Sequence, residues 1–297
     1  MIVIIIVTVV TTFRMCNSQQ CDCGYSETLV GSRIYGGSAV SSYEYPWMAH
    51  LRFFEKVGGD RFGLCGGFLV DSKHVVTAAH CIHDGNQKLR SIEATEVYLG
   101  VRDLTQLNKA HKVAKFFYPT TYKRRNLLND IAVLELTDHI NFTRTVSPIC
   151  LPKSDDEPYH LLKVAGFGRL GANSNPSKVL MHVQVEHIKD GKCNQMIKDY
   201  FMRTNPQIAQ SPKDYDVPKV HETHMCCVDT KTGGDACRGD SGGALMYKSG
   251  GRYFAVGLVS GAFDECDDPR TPGFYTVVRK FRTLISKVAT KAQFCEY

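Results

Sequence analysis

Long apolar segments are scarce in this chain of 297 residues. Residues 2–10 form its one sustained apolar run, which is too short to span a bilayer, so no membrane partner is expected. Repeats and low-complexity tracts are also lacking, and no aromatic residues interleave the basic runs, which argues against a nucleic-acid partner. A composition of 43% hydrophobic and 22% charged residues is typical of a globular domain with a sizeable core.

The apolar run lies near the amino terminus and is typical of the hydrophobic region of a signal peptide. The small residues Cys16 and Ser18 suggest cleavage after Ser18, so we expect a secreted, extracellular protein. Twelve cysteines agree with this location, because disulfides persist outside the cytosol. The chain then divides into a signal peptide (residues 1–18), a short pro-segment (19–33) and one domain (34–297).

Residues 233–243 have the sequence GGDACRGDSGG, which can supply most of an acyl-transfer site. Gly239 and the glycines after Ser241 allow a tight turn that brings backbone N–H groups close to a substrate carbonyl. Ser241 lies between them as a candidate nucleophile. Because a serine hydroxyl is weak alone, it needs a base that a third group holds in place.

Candidates for both groups occur upstream. The sequence TAAHC at residues 77–81 places His80 after an apolar, strand-like run, and NDIAVLEL at residues 129–136 places Asp130 at the start of an alternating strand. Histidine, aspartate, serine is one of the known sequence orders of the serine triad. On these three motifs the chain resembles the trypsin/chymotrypsin family of serine endopeptidases, over residues 34–292.

Many short β-rich runs between residues 34 and 281, separated by Gly, Pro, Asn and Asp, predict an all-β barrel or sandwich. The resemblance implies two six-stranded antiparallel barrels with the active site in the cleft between them. The spacing of Phe281, Leu284, Ile285 and Val288 predicts an amphipathic C-terminal helix packed on the domain. Two stretches look longer than usual for the family, residues 54–63 and residues 194–225, and are candidate specificity loops.

The resemblance implies a catalytic role for each motif. Ser241 would attack the scissile carbonyl, His80 would accept and return a proton, and Asp130 would orient the imidazole. The backbone N–H groups of Gly239 and Ser241 would form the oxyanion hole.

Asp235 lies where the family has the residue at the base of the pocket for the side chain that precedes the cleaved bond. A buried carboxylate there favours a cation, so we expect protein or peptide substrates to be cleaved after Arg or Lys. The other expected substrate-binding residues are Ser260, Ala262 and Gly273. Gly261 and Ala262 replace the family's usual Trp-Gly, which removes an aromatic wall and adds a methyl group at the mouth of the pocket.

The sequence RIYGG at residues 33–37 is similar to the family's activation site, with Tyr35 in place of the usual valine. Cleavage after Arg33 by an activating protease would free the Ile34 ammonium to pair with Asp240. The resemblance therefore implies an inactive zymogen.

The resemblance also implies three disulfides: Cys65–Cys81, Cys193–Cys226 and Cys237–Cys266. Cys150 is expected to pair with Cys21 or Cys23 of the pro-segment. Cys227, Cys295 and the remaining cysteine of the pro-segment stay unassigned.

No metal and no cofactor is expected. The carboxylates that the family's calcium loop needs are not evident in residues 100–113, and HETHMCC at residues 221–227 lacks the helical histidine pair of a zinc site. Asn141 begins an N-glycosylation sequon. Basic residues gather at positions 109–115 and 123–125; such runs are usually solvated loops, and a binding site for an acidic partner is the alternative.

Together these features predict a secreted serine endopeptidase that is made as a zymogen, cleaves after Arg or Lys through an acyl-enzyme, and meets protein inhibitors. Its Cys-Asp-Cys-Gly pro-segment is similar to those of arthropod haemolymph or venom proteases. The alternative is a weakly active or inactive homologue that acts by binding in a proteolytic cascade. The complete triad and the activation site argue against that alternative, whereas the altered wall at Gly261 and Ala262 leaves it open.

Overall fold

The computed structural model describes residues 21–26, 38–40, 42–157, 159–171, 173–210, 217–229, 235–262 and 268–297. The predicted signal peptide, the predicted cleavage site at Arg33 and Ile34, and Cys266 lie outside these residues. Among the described residues, no helix is both long and apolar enough to cross a membrane.

Strands dominate the described part of the chain. They are β1 (Ser38–Ala39), β2 (Met48–Phe54), β3 (Phe62–Leu69), β4 (His74–Thr77), β5 (Thr95–Leu99), β6 (His111–Phe117), β7 (Ala132–Leu136), β8 (Leu151–Pro152), β9 (Leu161–Gly166), β10 (Met181–Ile188), β11 (His224–Val228), β12 (Ala244–Ser249), β13 (Arg252–Ala262), β14 (Gly273–Val277) and β15 (Phe294–Cys295). The α-helices are α1 (Asp190–Thr204), α2 (Pro206–Gln210) and α3 (Arg282–Val288), with 3-10 turns at Ala79–Ile82 and Val278–Phe281.

Two antiparallel barrels confirm the predicted fold class. The first closes in the order β2-β3-β4-β7-β6-β5. The second runs β10-β11-β14-β13-β12-β9 and closes by pairing β9 with β10, while β1 adds to the outer edge of β10. Each barrel buries inward-facing apolar side chains, such as Leu51 and Leu134 in the first and Val185 and Tyr275 in the second.

The predicted C-terminal helix is confirmed as α3. Ile285 is fully buried and Phe281 is nearly so, while Leu284 and Val288 pack partly against the same cluster. This is the apolar face that the i, i+3, i+4, i+7 spacing indicated.

Helix α1 was missed by the sequence analysis, which expected only short β-rich runs in this part of the chain. Cys193 and Ile197, four residues apart, are fully buried on its inner face and pack with Cys226 and Val228 of β11. The remaining positions are mostly polar, so the apolar face is narrow.

Four disulfides join described cysteines: Cys65–Cys81, Cys193–Cys226, Cys23–Cys150 and Cys21–Cys295. The first two confirm predictions, and the third decides between the two partners left open for Cys150. Cys237 is disulfide-bonded, and its expected partner Cys266 lies outside the described residues. Cys227 is free and buried, and burial raises the pKa of its thiol well above the usual value, so it is unreactive at neutral pH.

Candidate active site

His80 and Asp130 meet between the barrels as predicted. His80 lies in the 3-10 turn after β4, and the Cys65–Cys81 disulfide fastens that turn to β3. Asp130, which is fully buried, accepts hydrogen bonds from the His80 backbone N–H (2.8 Å) and from its Nδ1–H (2.7 Å). Burial opposes ionisation of this carboxyl, but the charge and hydrogen bonds of His80 lower its pKa below the usual value. An ionised Asp130 therefore holds His80 with Nε2 free to accept a proton.

Two residues of the second barrel support Asp130, and the sequence analysis missed this role. Ser260 on β13 donates its hydroxyl to the carboxylate at 2.6 Å, and the Thr276 hydroxyl on β14 donates to the Asp130 backbone carbonyl at 2.9 Å. Ser260 was predicted only as a substrate-binding residue. Its hydroxyl is turned toward the carboxylate, and the residue also lines the cleft.

Ser241 is brought to the same cleft from the β11–β12 connection. Its carbonyl accepts the Gly66 backbone N–H at 2.7 Å and lies 3.6 Å from Sγ of Cys81, the neighbour of His80. Gly242 has a φ of +81°, and a Cβ there would overlap the Thr77 hydroxyl. Within the described residues no hydrogen bond joins Ser241 Oγ to His80, a bond that in apo structures often forms only when substrate binds.

Two backbone N–H groups around Ser241 are available to a ligand. Those of Asp240, Gly242 and Gly243 donate to carbonyls of the protein. Those of Gly239 and Ser241, the predicted oxyanion pair, make no hydrogen bond within the described part of the chain. Unpaired N–H groups flanking a candidate nucleophile are what an oxyanion hole requires.

Asp235 is half-buried and lies between Tyr275 and Gly273. It accepts hydrogen bonds from the Tyr275 hydroxyl and, at 2.7 Å, from the Ala236 backbone N–H. Burial raises its pKa to about 7, although these hydrogen bonds oppose the shift. A carboxylate held in this way gains strongly from a cationic partner.

Gly273, another predicted substrate-binding residue, lies directly against Asp235. A Cβ at this position would overlap Asp235 Oδ2 and lie 3.0 Å from its Cγ. We expect Gly273→Ala to displace the carboxylate and to lower kcat/KM for arginyl amides by about tenfold or more, the equivalent of about 1.4 kcal/mol. Gly85→Ala, where an added Cβ meets open space, is the control and should keep the wild-type value in the same assay. Equal kinetics for the two variants would contradict a substrate-facing Asp235.

Asp240, the predicted partner of the Ile34 ammonium, is buried. The backbone N–H groups of Gly168 (2.7 Å) and Cys237 (3.0 Å) donate to its carboxylate. Burial nevertheless raises its pKa to about 6. The described residues provide it with no cationic partner.

Beside His80 the cleft opens into a cavity of about 530 Å³, which we call the cleft cavity. Its lining residues are His80, Arg124, Arg125, Asn126, Leu127, Pro218, Lys219, Val220, His221, His224, Ser260, Ala262 and Phe274. A Cβ at Gly261 would lie 2.9 Å from Leu127 Cδ1, so Leu127 fills part of the space that the lost aromatic wall leaves. Ala262 is a predicted substrate-binding residue, whereas nothing in the sequence pointed to Leu127.

Some predicted sites stay untested. Arg33, Ile34 and Cys266 lie outside the described residues. Asn141 is exposed, as glycosylation would require.

Comparison with known proteins agrees with this geometry. Residues 34–285 match the model of the Trypsin family. The chain is 31% identical over 276 residues to the proclotting enzyme of Tachypleus tridentatus, covering 89% of this chain and 68% of that protein. It is 29% identical over 276 residues to the clotting factor G beta subunit of the same organism, covering 90% of this chain and 82% of that protein.

Proposed function

Because the chain belongs to the trypsin family of serine proteases, we propose that it is a secreted endopeptidase that cleaves after Arg or Lys and is made as a zymogen. The observation that carries the proposal is the His80–Asp130 pair beside Ser241, with two unpaired N–H groups flanking the serine. The similarity to clotting proteases supports a place in a proteolytic cascade.

In the proposed reaction, His80 Nε2 takes the Ser241 proton as Oγ attacks the scissile carbonyl. The N–H groups of Gly239 and Ser241 stabilise the oxyanion, and loss of one such donor typically costs about 2.7–4 kcal/mol of transition-state stabilisation. His80 then protonates the leaving amine, and water hydrolyses the acyl-enzyme by the same steps in reverse. Asp130 stays ionised and stabilises the imidazolium.

Preference for Arg or Lys rests on Asp235. Its buried carboxyl has a raised pKa and no cation beside it among the described residues. A guanidinium or ammonium group would supply the missing charge, whereas an apolar side chain would leave a buried carboxylate unpaired.

Activation would depend on how far the new amino terminus can reach. Ala39 pairs with Met181, and Met181 pairs with Gly166, whose Cα abuts the Asp240 carboxylate. Two strand spacings separate Ala39 from Gly166 by about 10 Å. The five residues that precede Ala39, from Ile34 to Ser38, span up to about 17 Å when extended, which is enough to bring the Ile34 ammonium to Asp240.

The pro-segment would remain attached after this cut. Cys23 is bonded to Cys150 and Cys21 to Cys295, both beyond the cleavage site. The non-reduced mass should therefore grow by one water on cleavage, and reduction should release a short peptide.

Arg33→Gln tests the zymogen proposal. We expect this variant to show no hydrolysis of an arginyl amide after treatment with a trypsin-like activator, whereas wild type becomes active and is labelled at Ser241 by an active-site phosphonate. Arg61→Gln, an exposed basic residue in the β2–β3 turn, is the matched control and should be activated normally. Full activity of uncleaved protein would contradict the zymogen, and cleaved wild type that resists labelling would favour a binding protein.

A further inference from the structure

Basic side chains from three parts of the chain converge on the cleft cavity. Arg124 and Arg125 come from the β6–β7 loop, Lys219 and His221 from the segment before β11, and His224 from β11 itself. Among the described lining residues none is Asp or Glu. Three fixed positive charges, those of Arg124, Arg125 and Lys219, therefore line the cavity, and the carboxylate of Asp130 lies behind His80.

Two polar atoms of its lining are buried without a hydrogen-bond partner among the described residues. His224 is only 8% exposed, and its Nε2 makes no hydrogen bond within the described residues. The Nη1 atom of Arg124 is likewise buried and makes none there. Because an unsatisfied buried polar group is unfavourable, two such groups on one cavity point to a polar ligand, and Arg124 Nη1 requires that this ligand accept a hydrogen bond.

A third donor is oriented by its neighbour. The Thr223 backbone N–H lies 3.4 Å from Nδ1 of His221 and donates to it, which leaves the proton of a neutral imidazole on Nε2. Burial lowers the pKa of His224, so its imidazole is neutral near pH 7 and needs no counter-charge of its own. The fixed charges of the cavity come from the arginines and Lys219.

The backbone shows how substrate would enter. Pairing of β12 with β13 ends at Leu258, whereas β14 continues along the other edge of β13 to Ala262. Residues 260–262 thus present a strand edge to which an extended peptide can add. Ala262 pairs with Gly273, and Gly273 lies against Asp235. If the basic side chain of a bound peptide reaches Asp235, the residues that precede it in the peptide would therefore lie in the cleft cavity.

We propose that the cleft cavity selects substrates with an acidic side chain two to four residues before the cleaved bond, held by Arg124, Lys219, His221 and His224. This inference rests on the proposed endopeptidase function and adds a second specificity to it. A carboxylate would accept a hydrogen bond from Arg124 Nη1 and meet the positive charge of the arginines and Lys219 at once.

The test uses activated protein and paired fluorogenic peptides that end in an arginyl amide. Within each pair, Glu or the isosteric Gln occupies the second, third or fourth position before the cleaved bond, so only charge differs. We expect kcat/KM to be about tenfold higher for Glu at one of these positions, as one charged hydrogen bond would produce. Because exposed charges are screened by salt, the preference should shrink as ionic strength rises.

Variants locate the preference. Arg124→Gln and Lys219→Gln should each lower the Glu/Gln ratio, and the double variant should bring it close to one. Lys123→Gln is the matched control, because it removes the same charge from an exposed neighbour that does not line the cavity, and it should keep the wild-type ratio.

Every other outcome of these measurements contradicts a specific part of the proposal. Equal rates for Glu and Gln peptides would overturn the acidic preference but leave the endopeptidase function intact. A ratio that survives the double variant would overturn the assignment to this cavity, and so would a preference confined to the far side of the cleaved bond in internally quenched peptides. If no arginyl peptide is hydrolysed by protein cut after Arg33, the proposed function itself fails.

Discussion

Replacing Asp130 with Asn should lower kcat for arginyl amides by about 10⁴-fold. Three donors converge on this carboxylate: the His80 backbone N–H, His80 Nδ1–H and the Ser260 hydroxyl. An asparagine has only one oxygen, so its NH₂ group must face a donor. The surrounding geometry changes least if the asparagine NH₂ group faces His80 Nδ1. Nδ1 must then accept a hydrogen bond, so the histidine proton lies on Nε2 and no base is left for Ser241.

The chain offers a matched control for this substitution. Asp71 is also buried and also pairs with a histidine, His74 Nδ1, at 2.8 Å, but in the turn before β4 and away from the cleft. Asp71→Asn should lower the melting temperature and leave kcat of the folded protein within about threefold of wild type. Loss of kcat in both variants to the same extent would assign the Asp130 effect to folding, and normal kcat in Asp130→Asn would end the triad assignment.

The second large effect concerns substrate choice. Asp235→Ser should lower kcat/KM for arginyl and lysyl amides by two to three orders of magnitude, because breaking a buried charge pair costs about 3–5 kcal/mol. Hydrolysis of leucyl or phenylalanyl amides should be retained or increased. Asp190→Asn, an exposed carboxylate at the start of α1, controls for the loss of one charge. A variant that still prefers Arg over Leu by the wild-type ratio would refute the role of Asp235.

The pH dependence of substrate preference provides a second, independent test of Asp235. Since burial raises the pKa of Asp235 to about 7, the free protein carries progressively less charge there as pH falls below neutrality. The ratio of kcat/KM for Arg and Leu substrates cancels any pH effect that is common to both substrates. That ratio should rise with pH through a midpoint near 7 in wild type and stay flat in Asp235→Ser.

Much of the site could be predicted because its chemistry is local in sequence. His80 beside Cys81, and Ser241 within its glycines, are short motifs that require particular residues at fixed spacing. Their order along the chain then identified the family and the two barrels. The Cys65–Cys81 bridge followed from the same resemblance and is confirmed.

What could not be predicted depends on contacts between distant segments. Nothing in the run Lys123, Arg124 and Arg125 shows that the two arginines share a cavity with His224 whereas Lys123 does not. Likewise, Cys295 had no assigned partner, because spacing alone does not give connectivity. Helix α1 differs, since its buried pair at Cys193 and Ile197 has helical spacing and could have been found.

The double attachment of the predicted pro-segment also bears on stability. In the intact chain, the bonds of Cys21 and Cys23 close two rings, with sequence separations of 274 and 127 residues. Cleavage after Arg33 would open one of these two rings. The segment before the cut would then be joined to the rest of the protein only through its disulfides to Cys150 and Cys295. In the chain-entropy account a closed loop of about 100 residues contributes about 4.7 kcal/mol. Cleavage into two chains would therefore lower the free energy of unfolding by an amount of that order. Binding of the new amino terminus beside Asp240 would have to compensate for this loss.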